Sequence, residues 1–314
     1  MRILLTLLLS LAISCLTAQS APEFYKAAQY AYQTHDYENS IAAVDKAIEL
    51  DGEVAAYYIL KAYAHRKLKQ HADGVGILSE AIQRFPEEPL LYVVRGNMLI
   101  SLFEFEEAVV DHTLAYDLAE AQGKIELMHD AILNRGVAKS QIRDYQGAYE
   151  DLQEARAHEP DNIVMLNALG TVADHIGRGE ETLTIYEQII ALDSTFLPAY
   201  LNTGYKYQLD GRYQQSLAYF DKVIDLAPDE ALGYSNRALS HLRLGNTDQA
   251  LLDINVSLRL FPENAYAHKV KALILIELGE PDKACERLQE ARVLGYEAMY
   301  GDEVEQLLQT HCRD

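Results

Sequence analysis

Gly233-Tyr234-Ser235-Asn236-Arg237-Ala238, with Pro262 beyond it, lines up with Ala199-Tyr200-Leu201-Asn202-Thr203-Gly204 and Pro228 at an offset of 34 residues. Both stretches carry Tyr at the second place, Asn at the fourth and a side chain of at most one carbon at the sixth. Carried in both directions, this register gives eight units. They start at Ala21, Ala55, Pro89, His129, Ile163, Leu197, Ala231 and Ala265, with six extra residues in the third. Self-similarity at one fixed spacing marks a stacked-repeat architecture, so the length of 314 residues does not by itself give a domain count.

Inside the units, the eighth position reads Ala28, Ala62, Gly96, Gly136, Gly170, Gly204, Ala238 and Ala272. The twentieth reads Ser40, Gly74, Ala108, Ala148, Thr182, Ser216, Ala250 and Ala284. Two small positions twelve residues apart require two helices to approach closely. The bulky fourth position (Phe24, Tyr58, Tyr92, Ile132, Leu166, Tyr200, Tyr234) is expected to supply the knob that fills the gap. Apolar residues recur at three and four, as in Leu244, Ala250, Leu251, Ile254 and Leu258, while Gly211-Arg212-Tyr213 and Gly245-Asn246-Thr247-Asp248 fall mid-unit. Each unit is therefore expected to be an antiparallel helix pair. Pro86, Pro160, Pro228 and Pro262 stand where a missing amide donor ends the second helix.

Small residues at eight and twenty, apolar or aromatic ones at four and twenty-four, and Pro near the end form a pattern that resembles the tetratricopeptide repeat. The resemblance runs over residues 19–298, with Gly52, Glu120, Ser194 and Tyr296 in place of the terminal Pro in four units, and no Trp anywhere. It implies an all-α fold, a right-handed superhelical solenoid of antiparallel helix pairs. It also implies a concave groove in which first-helix side chains hold a peptide or protein segment. At the family's groove positions stand Tyr25, Tyr32, Tyr63, Arg66 and Lys67, then Asn97, Asn134 and Asn167, then Asn202, Tyr205, Asn236, Arg243 and Lys269. Tyr234-Ser235-Asn236-Arg237-Ala238 is similar to the middle unit of carboxylate-clamping members. Leu201, Tyr205, Tyr266 and Val270 occupy the flanking places where a clamp needs Lys, Asn, Lys and Arg, so no clamp is expected.

Arg2 followed by the apolar run Ile3 to Leu16 reads as a signal peptide over residues 1–18, with cleavage after Ala18. Such a run spans about 21 Å as a helix, short of the ~30 Å of a bilayer core, so no integral membrane span is expected. The expectation is export to a periplasmic or extracellular space, with a lipid anchor at Cys15 as the lesser alternative. At the other end, residues 299–314 read as a capping helix and tail, with Val304, Leu307 and Leu308 on one stripe. A hairpin turning near residues 296–298 sets Cys285 opposite residues 309–312. In an oxidising space that favours a Cys285–Cys312 disulfide over two free thiols.

Forty-eight acidic residues against 27 basic ones give a net charge of −21, which disfavours nucleic-acid binding because phosphate would be repelled. Phosphate-loop, His-Glu-x-x-His, Cys-x-x-Cys and Gly-x-Ser-x-Gly patterns do not occur, so no catalytic residue, metal site or cofactor is expected. His65 and His241, both eleventh in their units, read as packing residues, and the sequon Asn255-Val256-Ser257 falls inside a second helix. Arg95, Arg135 and Arg237 share the seventh position of their units, and only those units carry Asp at the twenty-third, as Asp111, Asp151 and Asp253. That coincidence predicts an ion pair across each of the three hairpins. The functional expectation is a non-enzymatic scaffold or adaptor of the cell envelope or secreted space that binds protein or peptide. A glycan or small-ligand binder using the groove tyrosines is the alternative.

Overall fold

The computed structural model describes residues 20–312; the expected signal peptide over residues 1–18 and Cys15 lie outside them. The described residues form helices and connections and contain no strand. Contact density divides the chain into two compact units at Glu159/Pro160. The first contains α1 (Ala21–Gln33), α2 (Tyr37–Leu50), α3 (Ala55–Lys67), α4 (His71–Arg84), α5 (Pro89–Ser101), α6 (Phe105–Ala121), α7 (Ile125–Gln141) and α8 (Tyr145–His158). The second contains α9 (Ile163–His175), α10 (Gly179–Leu192), α11 (Leu197–Leu209), α12 (Tyr213–Leu226), α13 (Ala231–Arg243), α14 (Thr247–Leu260), α15 (Ala265–Glu277) and α16 (Pro281–Val293), closed by α17 (Tyr296–Tyr300) and α18 (Glu303–His311). Within each unit every helix packs on the next, and the first helices of neighbouring hairpins also touch. The core is thereby a ribbon shared between hairpins, none of which could bury both its faces alone.

Local chemistry starts the helices where they start. Ser20 N donates to Glu23 Oε2 at 2.7 Å, and the side chains of Asp36, Asp144, Asn162 and Asn264 accept from backbone amides of the first turns of α2, α8, α9 and α15. These contacts satisfy donors that a helix leaves unpaired. The turn inside every hairpin places the fifteenth residue of the unit in the left-handed region. In the second unit of the chain that residue is always glycine: Gly177, Gly211, Gly245 and Gly279. In the first it never is: His35, Lys69, Phe103 and Arg143 adopt φ of 61–66°. The same hydrogen bond closes each turn, as in Gln70 N to His65 O and Asn246 N to His241 O. The backbone geometry is therefore common, and the first half carries a steric cost that the second avoids.

The knob that fills the eighth-position gap is residue twenty-four, and the fourth position has a different task. A methyl group on Gly96, Gly136, Gly170 or Gly204 would meet His112, Leu152, Tyr186 or Phe220, each at position twenty-four of the same hairpin, at 2.6–3.0 Å. The fourth-position tyrosines instead tie their helix to the preceding connection. Tyr58, Tyr92, Tyr200 and Tyr234 donate to the carbonyls of Gly52, Pro86, Ser194 and Pro228. His268 holds the same place in the last hairpin and lies 2.8 Å from the Pro262 carbonyl through Nε2. Both roles demand bulk, so bulk in the sequence could not separate them.

The six extra residues are shared out. Helix α6 is three residues longer than the other second helices of full hairpins around it, α7 is four longer than a usual first helix, and the connection between them is one shorter. The first helix of the fourth unit thus begins at Ile125, ahead of the expected His129, because Gly123 at φ 65° ends the preceding segment and everything after Lys124 can continue as helix. The C-terminal cap likewise departs from a single helix over residues 299–310. Gly295 and Gly301, both at positive φ, divide it into the short α17 and the amphipathic α18.

The Arg and the Asp of each of the three coincidences meet side on. Arg95 donates to Asp111 through Nε and Nη2 at 2.7 and 2.6 Å, and Arg135 to Asp151 and Arg237 to Asp253 at 2.8 Å through both nitrogens. The carboxylates are buried, and their neighbourhoods supply further partners: Ser79 accepts from Arg95, Lys139 pairs with Asp151 at 2.9 Å, and Asp221 accepts from Arg237. Cys285 and Cys312 are disulfide-bonded, with Cα atoms 5.7 Å apart, which fastens the end of α18 to α16.

Candidate functional site

In the first unit the candidate groove residues lie on α1, α3, α5 and α7 and engage local neighbours. The Tyr25 ring sits 4.7 Å from that of Tyr57, Tyr32 packs edge-on against Tyr37, and the Arg66 guanidinium lies 5.2 Å from the Tyr63 ring centre. Burial raises the phenol pKa of both Tyr25 and Tyr63 above the ordinary tyrosine value. Asn134 donates its side-chain amide to the Asp130 carbonyl one turn earlier, Asn97 is half-buried, and Lys67 is exposed. These residues form a polar and aromatic strip. His65 faces Gln70 across its turn at 2.9 Å, and His241 approaches Asn246 in the same way in the second unit, which places both at hairpin turns.

In the second unit the residues converge. Asn167 on α9 and Asn202 on α11 meet through their side-chain amides at 3.5 Å. Next to them, Tyr205, Asn236, Arg243 and Lys269, from α11, α13 and α15, line one pocket of about 370 Å³. Asp174 and His175 border a smaller cavity of about 160 Å³, where Asp174 is committed to Lys206 at 3.1 Å.

The larger pocket is completed by the two closing helices that follow α16. Tyr296 and Tyr300 of α17 and Glu303 of α18 fold over the face of α15. Lys269, expected on an open groove, is therefore only 4% exposed. Its ammonium contacts Glu303 Oε2 at 3.1 Å and lies 5.0 and 5.8 Å from the ring centres of Tyr266 and Tyr296. Burial lowers the Lys269 pKa, Glu303 opposes that shift, and the positive charge of Arg243 adds to it. The Tyr266, Tyr296 and Tyr300 rings form a cluster, with Tyr300 4.9 Å from Tyr296 and 5.7 Å from Tyr266. Tyr296 donates its hydroxyl to Glu303 at 3.0 Å, and burial pushes the Tyr266 and Tyr296 phenols well above the usual range. Gln208 donates to Asn236 O and Ser240 Oγ, both at 2.7 Å, and its buried Oε1 has no donor. The cap's contribution was missed in the sequence because it comes from the very end of the last repeat and from residues beyond it. The signal for it is Tyr296 and Tyr300 one turn apart between two glycines.

The tetratricopeptide repeat profile matches residues 25–89, 201–258 and 235–298, together more than half of the chain. The chain belongs to the tetratricopeptide repeat family. Among solved structures, a tetratricopeptide repeat protein from Parabacteroides merdae is 18% identical, with a TM-score of 0.66, over 82% of this chain and 99% of that one. The Cut9–Hcn1 assembly of the APC/C is similar over 88% of this chain and 53% of that one, at 15% identity and a TM-score of 0.63. YrrB, described as a tetratricopeptide repeat protein with an unusual peptide-binding site, is 20% identical over 62% of this chain and 97% of its own, with a TM-score of 0.50. At these identities the likeness extends to the tetratricopeptide fold alone. No curated protein sequence matches the chain.

Proposed function

We propose that this protein is a non-catalytic scaffold or adaptor of the cell envelope or secreted space, which holds a peptide or protein segment against the first-helix faces of its repeats. Membership of the tetratricopeptide family supports an interaction role. The observation that carries the reading is the convergence of Tyr205, Asn236, Arg243 and Lys269 from three successive repeats on one pocket. Tyrosine rings there offer stiff contact area at little entropic cost, and the amides of Asn202 and Asn236 can hold main-chain groups. YrrB, with its peptide-binding site, is a fold relative in keeping with this reading. Capture from the native envelope and secreted fractions, with cross-linked residues mapped by mass spectrometry, tests it. A partner cross-linked to α11, α13 and α15, and lost when Tyr205, Asn236 and Arg243 become Ala, is the expected result. A partner retained by that variant and cross-linked only to second helices refutes it. A glycan reading draws on the Tyr266, Tyr296 and Tyr300 cluster, and direct glycan binding without a protein partner would favour it.

A further inference from the structure

The pocket at the C-terminal end has an unbalanced charge. Its lining holds two cations, Arg243 and Lys269, and a single carboxylate, Glu303. That carboxylate is already engaged twice, by the Lys269 ammonium at 3.1 Å and by the Tyr296 hydroxyl at 3.0 Å. Arg243 is exposed and has no ion pair or hydrogen bond to any described residue. A guanidinium standing free at the mouth of a partly enclosed pocket, in a chain of net charge −21, is a local reversal of sign. Its planar fork can grip a carboxylate, the ordinary side-chain anion of a peptide, through two parallel hydrogen bonds.

The rest of the lining is not that of a simple anion site. Tyr205, Leu209, Leu232 and Tyr300 are all among the large apolar side chains left exposed, by 39–57%, and all four border this pocket. An apolar rim around one unpaired cation fits a ligand with an apolar body and one negative group. A volume of about 370 Å³ suits one or two side chains. The hydroxyls of Tyr205 and Tyr300 make no hydrogen bond to described residues, so they can donate to the second carboxylate oxygen. The amides of Asn236, Asn202 and Asn167 lie on consecutive first helices leading away from the pocket, which provides a polar track for the chain on one side of the anchored residue. A hydroxyl-rich sugar would leave the leucine rim unused.

We infer that this pocket, closed on one side by Tyr296, Tyr300 and Glu303 of the disulfide-fastened C-terminal helices, anchors an acidic residue that neighbours an apolar side chain in the bound segment, with Arg243 as its counter-ion. The inference rests on the peptide-scaffold reading above. The cap supplies the tyrosine wall and, through Glu303, neutralises Lys269, so that Arg243 alone is left to select the ligand's charge.

The test uses the intact, disulfide-bonded chain with isotope-labelled tyrosine rings, followed by NMR during titration with acetyl-Leu-Glu-amide, acetyl-Leu-Gln-amide and glucuronate. The acidic dipeptide should shift the Tyr205 and Tyr300 resonances and bind at least tenfold tighter than the neutral one. Arg243→Gln should remove that tenfold preference, whereas Arg259→Gln, an exposed arginine of α14, should leave it intact. Equal binding of the two dipeptides, or a preference that survives Arg243→Gln, overturns the inference, as does glucuronate binding in place of the dipeptide. If the dipeptides do not bind while partner capture still depends on Tyr205 and Asn236, the charge-selective pocket is refuted and the scaffold reading stands.

Discussion

His112 should make the first unit sensitive to mild acid. Its side chain is fully buried on α6, packed where Gly96 leaves room on α5, and neither ring nitrogen has a hydrogen-bond partner. Burial, with a smaller contribution from the charge of Arg135, depresses its pKa from 6.5 to about 4. The folded protein thus holds the ring neutral, and the unfolded chain takes up its proton first as pH falls. The stabilising contribution is complete above pH 6.5 and is lost progressively as pH falls through that value toward 4. At about 1.4 kcal/mol per unit of pKa difference, the full loss is about 3 kcal/mol, of which about 2 kcal/mol is gone at pH 5. Other groups titrate over the same range, so the informative quantity is the difference between wild type and His112→Met, which keeps an apolar filler opposite Gly96. Thermal unfolding followed by circular dichroism at pH 8 and pH 5 should show the wild type losing several degrees more than the variant, at roughly 2–4 °C per kcal/mol for a chain of this size. Parallel pH dependence of the two proteins would refute the reasoning and mean that the ring is solvated or partnered in solution.

Removing one partner of a buried ion pair should be far more harmful than removing both. Arg95→Met leaves Asp111 buried and uncompensated and is expected to cost about 3–5 kcal/mol in urea unfolding, and combining it with Asp111→Leu should recover most of that loss. Lys69→Gly and Arg143→Gly should each stabilise by roughly 0.5–1 kcal/mol, since both residues hold the left-handed turn that glycine occupies in the second half, whereas Gly245→Ala should destabilise by about 1–2 kcal/mol. Reduction of the Cys285–Cys312 bond, which spans 27 residues, should lower stability by about 3–4 kcal/mol on the chain-entropy view. Hydrogen exchange after reduction should show the loosening in α17 and α18 first; uniform protection before and after reduction would exclude it.

The helix pairs were legible in the sequence because each unit repeats the same demand for small residues at eight and twenty, and eight copies in register leave no other periodicity to fit. The three Arg–Asp contacts were also legible, because two substitutions that appear only together at a spacing of sixteen residues point to one another across a hairpin. Local rules sufficed there, since both partners belong to one hairpin whose geometry the repeat dictates. What the one-dimensional pattern could not decide was which of two bulky positions fills the gap. Tyr58 and Phe220 look alike as bulk, yet one is a strut to the preceding loop and the other a knob in the core.

The candidate site shows the same division more sharply. Register alone placed Tyr205, Asn236, Arg243 and Lys269 on first helices, because their unit positions determine their face. Their gathering into a pocket, the burial of Lys269 and the isolation of Arg243 as a lone cation depend on Tyr296, at the end of the last unit, and on Tyr300 and Glu303 beyond it. A terminal segment has no periodic neighbour to define its docking. Its position is settled by packing of Val304 and Leu308 into the last core cluster and by the covalent tie to α16. The repeating sequence therefore determines the helices and the faces they present, and the tertiary closure of the cap decides which of those faces becomes a site, because only long-range packing can choose which charges are covered and which one is left free.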